Sequence, residues 1–162
     1  MEVIGSVSNM ISEGKRLSKK FGKCATIKVP CTSDGLIACK ELSSEGIRVN
    51  VTLIFSVAQA ILATKAGATY VSPFVGRVFD QSFDGFGVIE EIADVFATHQ
   101  APTQVLAASI REVYQVSKSF KVGADICTIP ITVFHKMYRH ILTDKGLELF
   151  DNDWKQLQEK LK

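Results

Sequence analysis

Short aliphatic runs recur along the chain, each closed by turn chemistry and followed by apolar positions at helical spacing. "VIGSV" (3–7) precedes a helical pattern over about 9–21, and "ATIKVP" (25–30) one over about 33–45. "RVNVTL" (48–53) precedes one over about 56–66, and "TYVSPF" (69–74) leads through a longer loop to one near 87–99. "QVLAAS" (104–109) precedes a helical pattern over about 111–121, and "DICTIP" (125–130) opens into helical sequence that runs to the end. Ser33 and Ser56 stand where helix N-caps belong, and Gly46, Gly67 and Gly123 stand just past helix ends. Strand alternating with helix at this spacing predicts right-handed βαβ units and a parallel sheet, either open and doubly wound or closed into a (β/α) barrel.

Side-chain parity separates the two. Successive strand residues point to opposite faces, so Ala25, Ile27 and Val29 share one face while Thr26 and Lys28 share the other. In the next strand Val49, Val51 and Leu53 lie together, opposite Arg48, Asn50 and Thr52, and Val71 opposes Ser72 in the one after. An open sheet covered on both sides reads apolar on both faces. Here one face is aliphatic and the other gathers polar groups near strand C-termini, the arrangement of a barrel with its site at the C-terminal mouth. The pattern provides about six strands where such a barrel has eight.

Composition narrows the partners. At 162 residues, 46% hydrophobic and 22% charged, the chain is long enough for one domain with its own core, expected over 1–162. A net charge of +2 without a clustered basic tract gives no electrostatic case for nucleic acid. The densest basic stretch, "GKRLSKKFGK" (14–23), spaces Leu17 and Phe21 four apart and reads as the solvated face of an amphipathic helix. No window resembles a membrane span, and the first ten residues lack a secretory pattern. Cys24, Cys31, Cys39 and Cys127 show neither metal-ligand spacing nor a disulfide framework, so free thiols in a reducing cytoplasm are expected.

Lys28 stands in an apolar strand, and a free lysine amine attacks a carbonyl to form a Schiff base; an ion-paired or snorkelling lysine is the alternative. Glu2 would point inward from the first strand and serve in proton transfer through a water, or be a frayed terminal carboxylate. Asn50, Thr52 and Ser72 line the same mouth as neutral hydrogen-bonding groups, whether for a substrate or for one another. Ser109 and Arg111 in "AASIR", with Arg77 in "SPFVGR", make a phosphate cradle or, failing that, surface ion pairs. His99, His135 and His140 have no metal-ligand spacing, and no metal is expected.

Taken in order, "IKVPCTSDGL", "EGIRVNVTLIFSVAQAILATKAGATYVSPFVGR", "AASIR" and the "FDNDWKQL" tail resemble the transaldolase family. They are most similar to its short, single-domain microbial branch, which includes the fructose-6-phosphate aldolases. The resemblance runs from Glu2 to the C-terminus. It implies a (β/α)8 barrel and cofactor-free transfer of a dihydroxyacetone unit between sugar phosphates of the pentose phosphate pathway. By position Lys28 resembles the Schiff-base lysine, and Glu2 and Thr52 the pair that holds the catalytic water. Asn50 and Ser72 match substrate-contacting positions, and Arg77, Ser109 and Arg111 match the phosphate-binding group. Phe74 stands where transaldolases usually carry Phe and the aldolases Tyr, which favours transfer over aldol cleavage. The family's first two strand-helix units, which carry an acid/base aspartate and a Thr-Asn-Pro motif, have no counterpart here. That departure leaves an inactive remnant as a further alternative. Uncovered sheet edges, with a helix over about 144–161 bearing Phe150, Trp154 and Leu157 on one stripe, imply a homo-oligomer.

Overall fold

The computed structural model describes residues 1–161. Two compact units are distinguished, Met1–Ile129 and the segment from Pro130 onward. The first unit runs α1 (Val7–Phe21), β1 (Ile27–Pro30), α2 (Ser33–Ser44), β2 (Val49–Ile54), α3 (Val57–Lys65) and β3 (Tyr70–Pro73). It continues with α4 (Val75–Asp80), α5 (Gly85–Thr98), β4 (Gln104–Ala107), α6 (Val113–Lys121) and β5 (Ile126–Cys127). The second unit holds α7 (Ile131–Met137) and α8 (Ile141–Lys160).

The five strands pair in parallel in the order β1-β2-β3-β4-β5, each joined to the next through a helix, as in a (β/α) barrel. In-register pairing carries the parity across the sheet: Ile27 aligns with Val49, Val29 with Val51, and Val51 with Val71. All of these side chains are fully buried, and α2, α3 and α5 pack onto the strands that carry them. Each such aliphatic side chain taken from water contributes about 1.5–3 kcal/mol, so this outer face is the core that fixes the sheet. The opposite face carries Lys28 beside Asn50 and Thr52 beside Ser72.

Several sequence expectations shift. The strand expected at 3–7 is reduced to one bridge between Glu2 and Lys28, with Val3 N–H donating to the Lys28 carbonyl at 2.9 Å. Gly5 then takes a φ of +107°, and the Ser6 hydroxyl caps a helix that begins at Val7. Thr32, one residue before the expected Ser33, caps α2, because its hydroxyl reaches Gly35 N at 3.0 Å. The loop expected after residue 74 contains the short helix α4. Arg111 lies ahead of α6, which starts at Val113 behind a capping box formed by Glu112 and Gln115. The terminal helical sequence is divided into α7 and α8. The expected caps hold elsewhere: Ser56 caps α3, and Gly46, Gly67 and Gly123 all have positive φ.

Among the described residues, no helix is long and apolar enough to cross a membrane, and no cluster of three or more metal-ligating side chains occurs. The four cysteines are free thiols; burial pushes that of Cys39 up to about 12.

Candidate active site

Lys28 projects from the second position of β1, between two fully buried neighbours that anchor the strand to the helix layer. Its Nζ lies 3.5 Å from Glu2 Oε2, with 30% of the lysine side chain and 51% of the glutamate exposed. The ion pair therefore stands at the edge of solvent, where a pair stabilises little. The amine also lies 5.7 Å from the centroid of the Phe74 ring, and the Arg77 guanidinium lies 4.8 Å from that same centroid. One aromatic ring is thus shared by two cations.

Alongside Lys28, the Ser72 hydroxyl donates to Asn50 Oδ1 at 2.8 Å, in a buried bond that fixes the amide. Thr52 is completely buried, and its Oγ1 has no hydrogen-bond partner among the described residues. An unpartnered buried hydroxyl is costly. It follows Asn50 on the same face and aligns with Ser72 of β3.

Beyond Thr52 the expected parity fails. Leu53, expected beside Val49 and Val51, has a φ of +61°, and the β2–β3 register slips between Thr52 and Ile54. This bulge returns Ile54 to the buried outer face opposite Pro73 and turns the following residue toward the site face. Phe55, the residue so turned, meets Phe74 edge-on at 6.0 Å.

Arg77, Ser109 and Arg111 converge where β3 and β4 end. Ala108 bridges to Phe74, and Val75 N–H donates to the Ala108 carbonyl at 3.0 Å. Gly76 permits this close approach: a Cβ there would lie 2.2 Å from the Ser109 carbonyl oxygen and 3.0 Å from Arg111 Nε. Asp80, one helical turn beyond Arg77 on α4, accepts from both terminal nitrogens of Arg111 at 2.5 Å. That bond holds the Asp80 carboxyl below its ordinary range and raises the Arg111 guanidinium. The end-on fork leaves Arg111 Nε and the outer N–H groups available to an anion. A cleft of about 770 Å³ opens here, walled by Arg77, Asp80 and Arg111 on the polar side and by Phe55, Phe83 and Val88 on the apolar side.

The structure therefore gathers two groups: Lys28, Glu2, Asn50, Thr52 and Ser72 along β1, β2 and β3, and Arg77, Ser109 and Arg111 past the ends of β3 and β4, with Phe74 between Lys28 and Arg77. His99 ends α5; in the second unit His140 caps α8, and His135 pairs with the Tyr138 hydroxyl at 2.6 Å. Leu53, Phe55, Gly76 and Asp80 escaped the sequence reading. Asp80 was not findable because its partner, Arg111, is distant in sequence, and Phe55 was not because simple alternation puts it on the helix side.

The family model described as Transaldolase/Fructose-6-phosphate aldolase matches residues 1–161. The chain is 50% identical over 161 residues to a "Probable transaldolase" of Paracoccus denitrificans, covering 99% of this chain and 74% of that protein. It is 53% identical over 154 residues to one of Shouchella clausii, and 49% over 160 residues to one of Nitrosopumilus maritimus. These cover 94% and 98% of this chain, and 71% and 72% of the relatives. Among solved structures, a GMP reductase from Trypanosoma brucei superposes with a TM-score of 0.64 at 15% identity, over 82% of this chain and 30% of the reductase. A mandelate oxidase superposes with a TM-score of 0.61 at 14% identity, over 79% of this chain and 47% of the oxidase. At such identities the likeness concerns the fold alone.

Proposed function

The chain belongs to the transaldolase/fructose-6-phosphate aldolase family, and on that premise we propose that it is a Schiff-base transaldolase acting on sugar phosphates. The observation that carries this reading is the placement of Lys28 Nζ, 3.5 Å from a carboxylate and on the same face as the buried, unpartnered Thr52 hydroxyl. In the proposed reaction the free amine of Lys28 adds to the C2 carbonyl of a ketose phosphate, such as fructose 6-phosphate or sedoheptulose 7-phosphate. Loss of water gives the Schiff base. Cleavage of the C3–C4 bond, with loss of the C4 hydroxyl proton to solvent, releases an aldose phosphate and leaves a three-carbon enamine on Lys28. The enamine adds to the carbonyl carbon of an acceptor aldose phosphate, whose oxygen takes a proton back. Hydrolysis then returns the amine.

Glu2 and Thr52 hold the water that shuttles protons during formation and loss of the Schiff base, Glu2 as acceptor and Thr52 through its free hydroxyl. Asn50, oriented by Ser72, hydrogen-bonds the hydroxyls of the bound chain. Arg77, Ser109 and Arg111 receive the phosphate, with Asp80 holding Arg111 in position. The Phe74 ring offers no hydroxyl for the protonation that aldol cleavage requires, which favours transfer.

The decisive experiment is borohydride trapping with fructose 6-phosphate followed by peptide mass spectrometry. An adduct on Lys28 is expected; folded protein that yields none refutes the reading. Consumption of erythrose 4-phosphate, measured against release of free dihydroxyacetone, separates transfer from aldol cleavage. We place the reaction in the cytoplasm, and assign α8 to packing on a second copy of the chain through its exposed Phe150, Trp154 and Leu157.

A further inference from the structure

We propose that Phe55 is a specificity-determining residue: its ring is the wall along which the carbon chain of a phosphorylated substrate lies between Lys28 and the arginines. This rests on the Schiff-base reading above and adds a residue to which that reading gives no role. The ring is 41% exposed. Its edge contact with Phe74 ties it to the ring that Lys28 and Arg77 share. It also lines the cleft that holds Arg77 and Arg111. A ligand reaching from the amine to the guanidinium groups would therefore pass beside it.

The mount of this ring is built rather than incidental. The bulge at Leu53 turns residue 55 to the site face, and a leucine at a φ of +61° is a conformation that costs free energy to hold. The Phe55 N–H is then taken by Gln59 Oε1 at 2.8 Å, within a helix start fixed by the Ser56 cap. Backbone strain followed by a side-chain clamp keeps an exposed aromatic ring at one place. An acyclic sugar phosphate presents C–H groups along its chain between the carbonyl and the phosphate. An aromatic face covers these C–H groups and excludes water from them, while the arginines take the charge. Dihydroxyacetone, with three carbons and no phosphate, fills only the Lys28 end and gains nothing from the wall.

Borohydride-trapped adduct on Lys28 is quantified by mass spectrometry as a function of ligand concentration, for fructose 6-phosphate and for dihydroxyacetone. Phe55→Ala is expected to raise the half-saturating concentration of fructose 6-phosphate about tenfold while leaving that of dihydroxyacetone within about twofold. Phe55→Tyr, which keeps the ring, is expected to follow the unsubstituted protein with both ligands. An unchanged ratio between the two ligands in Phe55→Ala, whether both weaken or neither does, overturns the wall. Failure of the unsubstituted protein to form any adduct with either ligand overturns the Schiff-base reading itself, so the two failures are distinct.

Discussion

Replacing Thr52 with valine should make the protein more stable and less active. Thr52 is fully buried in β2, and its hydroxyl meets no partner among the described residues. Leaving a buried hydroxyl unpaired costs about 1–3 kcal/mol, and valine removes the hydroxyl while keeping the β-branched shape that suits a strand. The expected gain is about 1–2 kcal/mol, at about 2–4 °C of melting temperature per kcal/mol for a chain of this size. The assay is urea unfolding followed by far-UV circular dichroism, because the single tryptophan, Trp154, lies in the second unit. The midpoint should rise at constant slope. Thr52→Ser gives the opposite arm: it keeps the hydroxyl, loses a buried methyl worth about 0.8 kcal/mol, and should retain adduct formation at Lys28. A valine variant that is neutral or destabilised would show that the hydroxyl is satisfied in the native protein, and would refute the cost assigned to an unpaired Thr52.

Gly76→Ala forces a Cβ to within 2.2 Å of the Ser109 carbonyl oxygen, so α4 must move away from the end of β4. A thermal melt should register a loss of about 1–3 kcal/mol, and trapping should weaken more for fructose 6-phosphate than for dihydroxyacetone. Asp80 is held below its ordinary 3.8 first by the hydrogen bond from Arg111 and then by the charges of Arg111 and Arg77. A group depressed on folding stabilises the native state above its unfolded value and loses that contribution as pH falls through the folded value. The Asp80–Arg111 contribution is therefore constant above about pH 5 and disappears only below 3.8. A carboxyl NMR titration should place Asp80 lower in the unsubstituted protein than in Arg111→Gln. Trp154→Glu puts a charge in the exposed stripe of Leu147, Phe150, Trp154 and Leu157 on α8, and should lower the mass measured by light scattering.

The helix-facing half of the sheet was legible because a period of two is a geometric property of an extended chain. Ile27, Val29, Val49, Val51 and Val71 could be placed from sequence alone, and the residues alternating with them had to face the other way. The αL glycines were legible for a similar reason, since positive φ without a side-chain penalty belongs to glycine. Finer features depended on neighbours distant in sequence. Thr32 and Ser33 are both competent caps, and the end of β1 at Pro30 decides between them. Asp80 finds its partner at Arg111, 31 residues away. The "VIGSV" run reads as a strand until Gly5 turns the chain and Ser6 starts a helix.

The features that broke the local rules are concentrated at the strand ends proposed to bind substrate. Among the described residues, four that are not glycine have positive φ: Leu53, Ser82, Gln100 and Ser109. Ser82 and Gln100 each lie one residue past a helix cap, where the left-handed conformation ends many helices. Leu53 and Ser109 have no such explanation: Leu53 lies in the bulge that aims Phe55, and Ser109 abuts Gly76 beside the arginines. With the orphaned Thr52 hydroxyl, they are local costs of about 1–3 kcal/mol each. A strand under selection for stability alone would have glycine or asparagine at position 53 and valine at 52. The aliphatic outer face of the same strand, buried without exception at Val49, Val51 and Ile54, supplies the stabilisation that lets the inner face depart from those choices. The division of labour within β2 is thus physical: alternate residues hold the sheet against its helices, and those between are free to be unfavourable in the ways the chemistry needs.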